Sequence, residues 1–172
     1  ILYVSNYEYD EKYNRKDWIA YEYNTREIIT KFQKNINIFI AIRDNDQNIL
    51  SKYKNITKLS LLGNFYNPSG NGTSIQNVDG LAFLTNLISL DLSNCDSLQN
   101  IDGLAKLTKL TSLDLNNCGS LQNVDGLANC TNLTNLDLGQ CGSLQNIDGL
   151  ANCTNLTSLN LRSWLRDSQK TK

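Results

Sequence analysis

The side chains in this chain that could bind ligands or carry out catalysis are carboxylates and thiols that recur at intervals of 23 residues. Two series show this spacing: Asp91, Asp114 and Asp137, and Cys95, Cys118 and Cys141. A row of carboxylates can bind a basic peptide or a cation, and clustered thiols can ligate a metal ion or supply a nucleophile. The sequence has no His and no Cys-x-x-Cys pair, so the usual partners for a metal centre or an activated nucleophile are missing.

The cysteines follow the pattern of core residues. Cys130 and Cys153 stand where Leu84 and Leu107 stand in earlier copies of the 23-residue unit. A position that alternates between Leu and Cys indicates a small buried hydrophobe. We therefore expect all five thiols to be buried and free, which favours a reducing compartment such as the cytoplasm, with export to a host cell as the alternative.

Composition excludes several classes of function. The chain has 172 residues, of which 40% are apolar, and no apolar run approaches the ~20 residues of a membrane span. From residue 79 to residue 160 there are eight Asp against only Lys106 and Lys109. Nucleic acid binding needs a basic surface, so we expect none. No glycine-rich phosphate loop and no nucleophile–base pair is present, so we expect neither an enzyme nor a cofactor.

The spacing of the leucines predicts how one unit folds. In residues 107–129 the apolar residues alternate only around Leu113 and Leu115, which indicates a short strand. The other apolar residues recur every third position, which suits 3₁₀-type turns. Repetition at this period predicts a solenoid in which stacked strands form a parallel sheet and the leucines share one core. Asp is a favourable helix N-cap, so we expect one Asp per unit to cap the turn opposite the strand: Asp79, Asp102, Asp125 and Asp148.

These spacings resemble the leucine-rich repeat family. The matching segment is Leu87–Cys95, which reads LISLDLSNC, and its copies. Residues 147–156, IDGLANCTNL, resemble the internalin-type repeats of bacteria, here with a 23-residue length and a Cys. The resemblance implies an α/β fold: a right-handed arc with parallel strands on its concave face, short 3₁₀ or helical turns on its convex face, and an N-terminal helical cap. It also implies that the concave face binds proteins.

The organisation of the chain follows from the repeat. The Tyr-rich residues 1–35 are expected to cap the first coil, meaning one full turn of the solenoid, because that coil would otherwise expose its core. The alternation of Ile36, Ile38, Ile40 and Ile42 predicts a strand in a degenerate repeat. Trp164 lies 23 residues after Cys141 and so continues the series of Cys95, Cys118 and Cys141. We expect its ring to cover the last coil. The predicted solenoid, 36–172, divides into 36–55, 56–83 (with a loop insertion), 84–106, 107–129, 130–152 and a partial unit, 153–172. The chain begins at Ile1 and has no Met, so we expect a processed or trimmed piece.

Residues that alternate with the core leucines must point outward from the sheet. They predict a protein- or peptide-binding face for a basic partner, consisting of Ser89, Asp91, Ser112, Asp114, Asn116, Asn135, Asp137, Ser158, Asn160 and Arg162. The insertion at 64–73, with Phe65 and Tyr66, predicts a second contact. We expect a monomeric, non-catalytic binding module. The alternative is an adaptor, or a host-directed bacterial effector, whose N-terminal cap docks a second protein.

Overall fold

The computed structural model describes residues 38–61, except 39 and 43, and residues 75–162. All of them lie in one compact unit, Asn35–Lys172. Five parallel strands form one sheet in the order of the sequence. The strands are β1 (Lys58–Ser60), β2 (Ser89–Asp91), β3 (Ser112–Asp114), β4 (Asn135–Asp137) and β5 (Ser158–Asn160). Short 3₁₀ helices separate the strands, so the predicted leucine-rich-repeat solenoid is confirmed.

Each connection between successive strands contains one short 3₁₀ helix. These helices are Asp79–Phe83, Asp102–Lys106, Asp125–Leu127 and Asp148–Leu150. Each contains an Asp-Gly-Leu sequence in which the Gly is buried. A Cβ added at Gly126 would lie 2.1 Å from the carbonyl oxygen of Ile101 in the preceding coil. Glycine is therefore required at this position because the 3₁₀ helices of successive coils stack with their backbones in contact.

The expectation that Asp caps these turns is wrong. Each Asp is the first residue of its helix, and none of the four N-cap residues makes a side-chain capping bond. The capping group comes from an Asn two residues before the Asp. The backbone N–H of Asp125, for example, donates to Oδ1 of Asn123 at 3.1 Å, and Asp148 donates to Asn146 in the same way. The local Asn turn satisfies the donor that the Asp side chain was expected to satisfy.

The core is formed by apolar residues from successive coils. Leu92, Leu115 and Leu138 are fully buried, as are Leu87, Leu110 and Leu133. Each such side chain contributes about 1.5–3 kcal/mol by leaving water. Backbone hydrogen bonds tie each coil to the one before it: the N–H groups of Thr134 and Thr157 donate to the carbonyl oxygens 23 residues earlier, both at 2.9 Å. The 23-residue repeat therefore sets both the pairing of the strands in the sheet and the stacking of the apolar side chains in the core.

The first described residues are helical, so the strand expected from the alternating isoleucines within 36–55 is wrong. Residues 38 and 40–42 are helical, and Ile38, Ala41 and Ile42 are buried while Ile40 is exposed. This burial at positions i, i+3 and i+4 is the pattern of a helix. The helix ends at Asn45, whose φ of 51° is left-handed. Its last carbonyls accept from Asn45 and Asp46, and Asp46 then caps the helix Gln47–Leu50.

These helical residues cover the first coil. A Cβ added at Gly80, in the first 3₁₀ helix, would lie 2.9 Å from Cα of Ile42. Leu50 is fully buried in the same core. The alternation of isoleucines fits a strand, but a helix through the same residues buries Ala41 together with Ile38 and Ile42. The short helix Ser51–Tyr53 then leads into β1.

Three predictions concern residues outside those the structure describes. They are the N-terminal cap at 1–35, the loop 64–73 with Phe65 and Tyr66, and the C-terminal cover by Trp164. Each stays a prediction. Among the described residues, no helix has the length and apolar character needed to cross a membrane.

Candidate binding surface

The sheet register brings the predicted outward-facing residues together. Asp91 pairs with Asp114, Asp114 with Asp137, and Asp137 with Asn160. Neighbouring strands lie about 4.8 Å apart, so these side chains form one continuous row. We call the ten sequence-predicted residues the strand face: Ser89, Asp91, Ser112, Asp114, Asn116, Asn135, Asp137, Ser158, Asn160 and Arg162. Each of them is exposed or half-buried.

The row of acidic residues has a structural task in each coil. Oδ1 of Asp114 accepts the backbone N–H of Asn116 at 2.8 Å, and Oδ1 of Asp137 accepts that of Gly139 at 2.8 Å. Asn160 accepts from the N–H of Arg162 at 3.1 Å in the same way. A side-chain oxygen that bonds the N–H two residues later fixes the turn off the strand. Asp and Asn both supply this oxygen, which explains why Asn160 can occupy the last place in the row.

Hydrogen bonds between coils then distinguish the three carboxylates. Oγ of Ser60 donates to Oδ2 of Asp91 at 2.9 Å. Nδ2 of Asn160 donates to both oxygens of Asp137 at 3.0 Å, and Nδ2 of Asn116 reaches Oδ1 of Asp137 at 3.3 Å. Among the described residues, no side chain from a neighbouring coil donates to Asp114. Asp114 is therefore the member of the row whose second oxygen accepts no hydrogen bond from the part of the chain that the structure describes.

The environment shifts the pKa values of two of these carboxyl groups in opposite directions. Burial raises the pKa of Asp114, the N–H of Asn116 lowers it, and the charges of Asp91 and Asp137 raise it further, with a net increase. Burial also opposes ionisation of Asp137. Hydrogen bonds from Asn160, Gly139 and Asn116 outweigh that effect and lower the pKa of Asp137. Of these two carboxylates, Asp114 is the one whose ionised form is disfavoured, and an added positive charge would stabilise that form.

The thiols are buried in the core and are not part of the strand face. All five cysteines are free and buried, as the sequence predicts. Sγ of Cys118 donates to the carbonyl oxygen of Leu92 at 3.3 Å, and Sγ of Cys141 donates to that of Leu115 at 3.2 Å. Burial raises the pKa of Cys95 to about 12 and that of Cys141 to about 11. Across the part of the chain that the structure describes, no group of three His, Cys, Asp or Glu side chains could hold a metal ion.

The asparagines that follow Cys-Thr join neighbouring coils, a role that the sequence analysis did not assign to them. Nδ2 of Asn132 donates to the carbonyl oxygen of Thr108 at 2.8 Å, and Nδ2 of Asn155 donates to that of Thr131 at 2.8 Å. Both bonds join one coil to the coil before it. The recurrence of Asn at this place, after Cys-Thr in two units, was the available signal. These amides hold the coils in register and so keep the strand face rigid.

Comparisons with known proteins found matches to one family model and to solved structures. A family model described as "Leucine Rich repeats (2 copies)" matches residues 85–129 and, in a second match, 108–152. No curated protein matches the chain. Similar solved structures include two internalins from Listeria monocytogenes strain 4b F2365. Internalin C2 (inlC2) is 29% identical, with 60% of this chain and 50% of that chain covered and a TM-score of 0.41. The internalin inlF is 25% identical, with 72% and 42% covered and a TM-score of 0.41. The chain spans half or less of the length of these two proteins.

Proposed function

We propose that this leucine-rich repeat protein, whose repeats form a protein-interaction module, binds a basic protein or peptide through its strand face. The observation that carries the proposal is the state of Asp114. Its carboxylate lies at the middle of the acidic row, between Asp91 and Asp137, and has no donor from a neighbouring coil among the described residues. A Lys ammonium or Arg guanidinium from a partner would supply that donor and relieve the repulsion from both neighbours.

The rigidity of the strand face supports this function. The turn after each strand is fixed by a side-chain oxygen of the row, and the coils are joined by backbone and Asn hydrogen bonds. A surface that is already ordered loses little conformational entropy when a partner docks. Loop 64–73, with Phe65 and Tyr66, is proposed as a second contact. In the sequence, this segment begins four residues after β1 ends at Ser60.

Two further proposals concern the activity of this chain and the compartment in which it works. The leucine-rich repeat fold is typically a non-catalytic interaction module, and we propose that this chain is neither an enzyme nor a nucleic acid-binding protein. The acidic strand face supports the second point because it would repel phosphates. The buried free thiols support a reducing compartment such as the cytoplasm. The adaptor alternative depends on residues 1–35, which lie outside the described residues, and stays a prediction.

Selection of peptides from a random display library against the full chain tests the proposed partner chemistry. We expect enrichment of Lys- and Arg-containing peptides whose affinity falls with added salt. Binding by Asp114→Asn should be about 10-fold weaker, which corresponds to about 1.4 kcal/mol. Asp125→Asn is the matched control, because it removes the same charge from an exposed residue of a 3₁₀ helix. Equal affinity of Asp114→Asn and wild type, or enrichment of acidic peptides, would contradict the proposal.

A further inference from the structure

The residues just before β2 depart from the repeat by exposing two large apolar side chains. Phe83 is 40% exposed and Ile88 is 41% exposed. Later coils carry polar residues at these two places: Lys106, Asn129 and Asn152 at the first, and Thr111, Thr134 and Thr157 at the second. The coil of β2 has a described coil on either side, so this exposure belongs to the interior of the solenoid.

The polar residues at these places join neighbouring coils. Nδ2 of Asn152 donates to the carbonyl oxygen of Ala128 at 3.3 Å, and Oγ1 of Thr134 donates to that of Thr111 at 2.9 Å. The side chain of Ile88 has no group that could make such a bond, and an apolar side chain left partly in water gains only part of the free energy of burial. A single exposed apolar residue is common on any protein, so the residues around this one decide its meaning.

Two lysines adjoin the exposed apolar pair. Lys106 occupies the place of Phe83 in the next coil, and Lys109 occupies the place of Asn86. Nζ of Lys109 donates to Oδ1 of Asn86 at 2.7 Å, which holds the ammonium group over the coil that carries Ile88 and leaves its other protons for a partner. Within the described part of the chain, neither lysine forms an ion pair. We call Phe83, Ile88, Lys106 and Lys109 the basic edge.

The basic edge adjoins the strand face. The backbone N–H of Thr111 donates to the carbonyl oxygen of Ile88 at 2.8 Å, so Ile88 lies beside Thr111. Lys109 precedes Thr111 by two residues, and Asp114 follows it by three. An ammonium group, an exposed apolar side chain and a carboxylate therefore follow one another along a stretch of chain that spans at most about 17 Å.

We propose that the partner segment crosses the sheet along β3 in an extended conformation. It sets a basic side chain on Asp114, an apolar side chain on Ile88 and an acidic side chain on Lys109. This inference rests on the proposed function, because Asp114 remains the site of the basic side chain. An extended segment rises about 3.3 Å per residue, as β3 does, so its basic and acidic residues stand about four to six positions apart.

The opposite charges at the two ends of this path select the partner. A uniformly basic segment would bring like charge to Lys109, and a uniformly acidic one would bring like charge to Asp114. Nucleic acids and anionic membranes would meet the row of carboxylates in the same way. A segment with one charge of each sign satisfies both ends and buries Ile88 between them.

Peptides selected from a random library against the full chain test this inference. We expect an acidic residue about four to six positions from the Lys or Arg of each bound peptide, with an apolar residue between them. Replacing that acidic residue by its amide should weaken binding to wild type about 3- to 5-fold and leave binding to Lys109→Gln unchanged. Lys52→Gln is the matched control, because Lys52 is exposed and precedes β1, two coils away. Selected peptides without acidic residues, or an equal effect of the amide on wild type and Lys109→Gln, would overturn the inference.

Ile88→Thr tests the apolar contact without disturbing the fold, since it restores the residue that later coils have at this place. It should weaken binding about 3- to 5-fold, whereas Ile40→Thr, which changes another exposed isoleucine, should bind as wild type does. The two proposals fail separately. Weak binding by Asp114→Asn together with normal binding by Lys109→Gln and Ile88→Thr would overturn this inference alone. Normal binding by Asp114→Asn would overturn both.

Discussion

Asn160 holds both carboxylate oxygens of Asp137 with one amide group, at 3.0 Å each. Asp114, one strand away in the same row, receives no such bond among the described residues. The two carboxylates are therefore chemically unlike although the repeat makes them equivalent in sequence. We expect this difference to make Asp137 the carboxylate that stabilises the fold, and under our proposal it leaves Asp114 to bind a partner.

The two carboxylates should affect stability with opposite signs. The pKa of Asp137 is lowered by folding, so its stabilisation is present above the unfolded pKa and is lost as pH falls through the folded pKa. The pKa of Asp114 is raised, so its ionisation destabilises the fold as pH rises through that range. At neutral pH we expect Asp137→Asn to lower, and Asp114→Asn to raise, the free energy of unfolding by about 0.5–1 kcal/mol, since both groups are only half-buried and solvent screens their charges. Urea titrations from acidic to neutral pH measure this, and shifts of the same sign would contradict it.

Gly139 permits the two amides to converge on Asp137. A Cβ at this position would lie 2.6 Å from Nδ2 of Asn116 and 2.8 Å from Nδ2 of Asn160. Gly139→Ala should displace both amides and lower the free energy of unfolding by about 0.5–1.5 kcal/mol, the typical net contribution of an intramolecular hydrogen bond. Gly142→Ala is the control, because nothing lies within 4 Å of its added Cβ. Thermal melts of the two variants should differ by a few degrees, and coincident melts would disprove the role of Gly139.

The cysteines should be inert in the folded protein. Burial raises the pKa of Cys130 and of Cys141 to about 11, and raises that of Cys118 beyond the usual thiol range. Since only the thiolate reacts with alkylating reagents, folded protein at slightly alkaline pH should label very slowly. Unfolding in urea should expose all five thiols. Mass spectrometry after iodoacetamide treatment counts the modified residues, and rapid labelling of Cys118 without urea would contradict the buried position.

Gln140 stands in a backbone conformation that favours Asn or Gly. Its φ is 61°, and the equivalent residues Asn94 and Asn117 have φ values of 61° and 59°. A left-handed residue other than Gly or Asn costs about 1–2 kcal/mol. Gln140→Asn should therefore stabilise the protein by about 0.3–1 kcal/mol, observable as a rise in Tm of roughly 1–4 °C. The same change at Gln122, where φ is not positive, should leave Tm unchanged. A lower Tm for Gln140→Asn would show that the strain is absent.

The regular coils were predictable because their signal is repeated. The leucine spacing predicts a short strand around Leu113, and β3 occupies Ser112–Asp114. The register then follows, since only one alignment stacks the leucines. The outward row of Asp91, Asp114 and Asp137 was predictable for the same reason, although its role in binding stays a prediction.

Two kinds of feature could not be predicted from the sequence. Some depend on contacts between coils, and others on sequence segments that fit a helix and a strand equally well. The difference between Asp114 and Asp137 comes from Asn160, 23 residues beyond Asp137, whose amide could have pointed elsewhere. The helical residues near Ile40 fit strand periodicity as well as helix periodicity, and burial against the first coil decided between them. The recurrence of Asn132 and Asn155 signals a shared role, but it does not identify their partners, because only the stacking of the coils selects the carbonyl 24 residues earlier.

The bonds that join neighbouring coils have a consequence for how such a chain can evolve. The amides of Asn132 and Asn155 each donate to the equivalent carbonyl oxygen of the preceding coil. Each coil therefore offers the next coil the same kind of acceptor to which its own amide binds in the coil before. Duplication of residues 107–129 in the gene would thus add a unit that fits both of its neighbours without any compensating mutation. The length of the strand face can grow or shrink by whole units, and selection can then alter those outward residues that bond neither the turn after the strand nor a neighbouring coil.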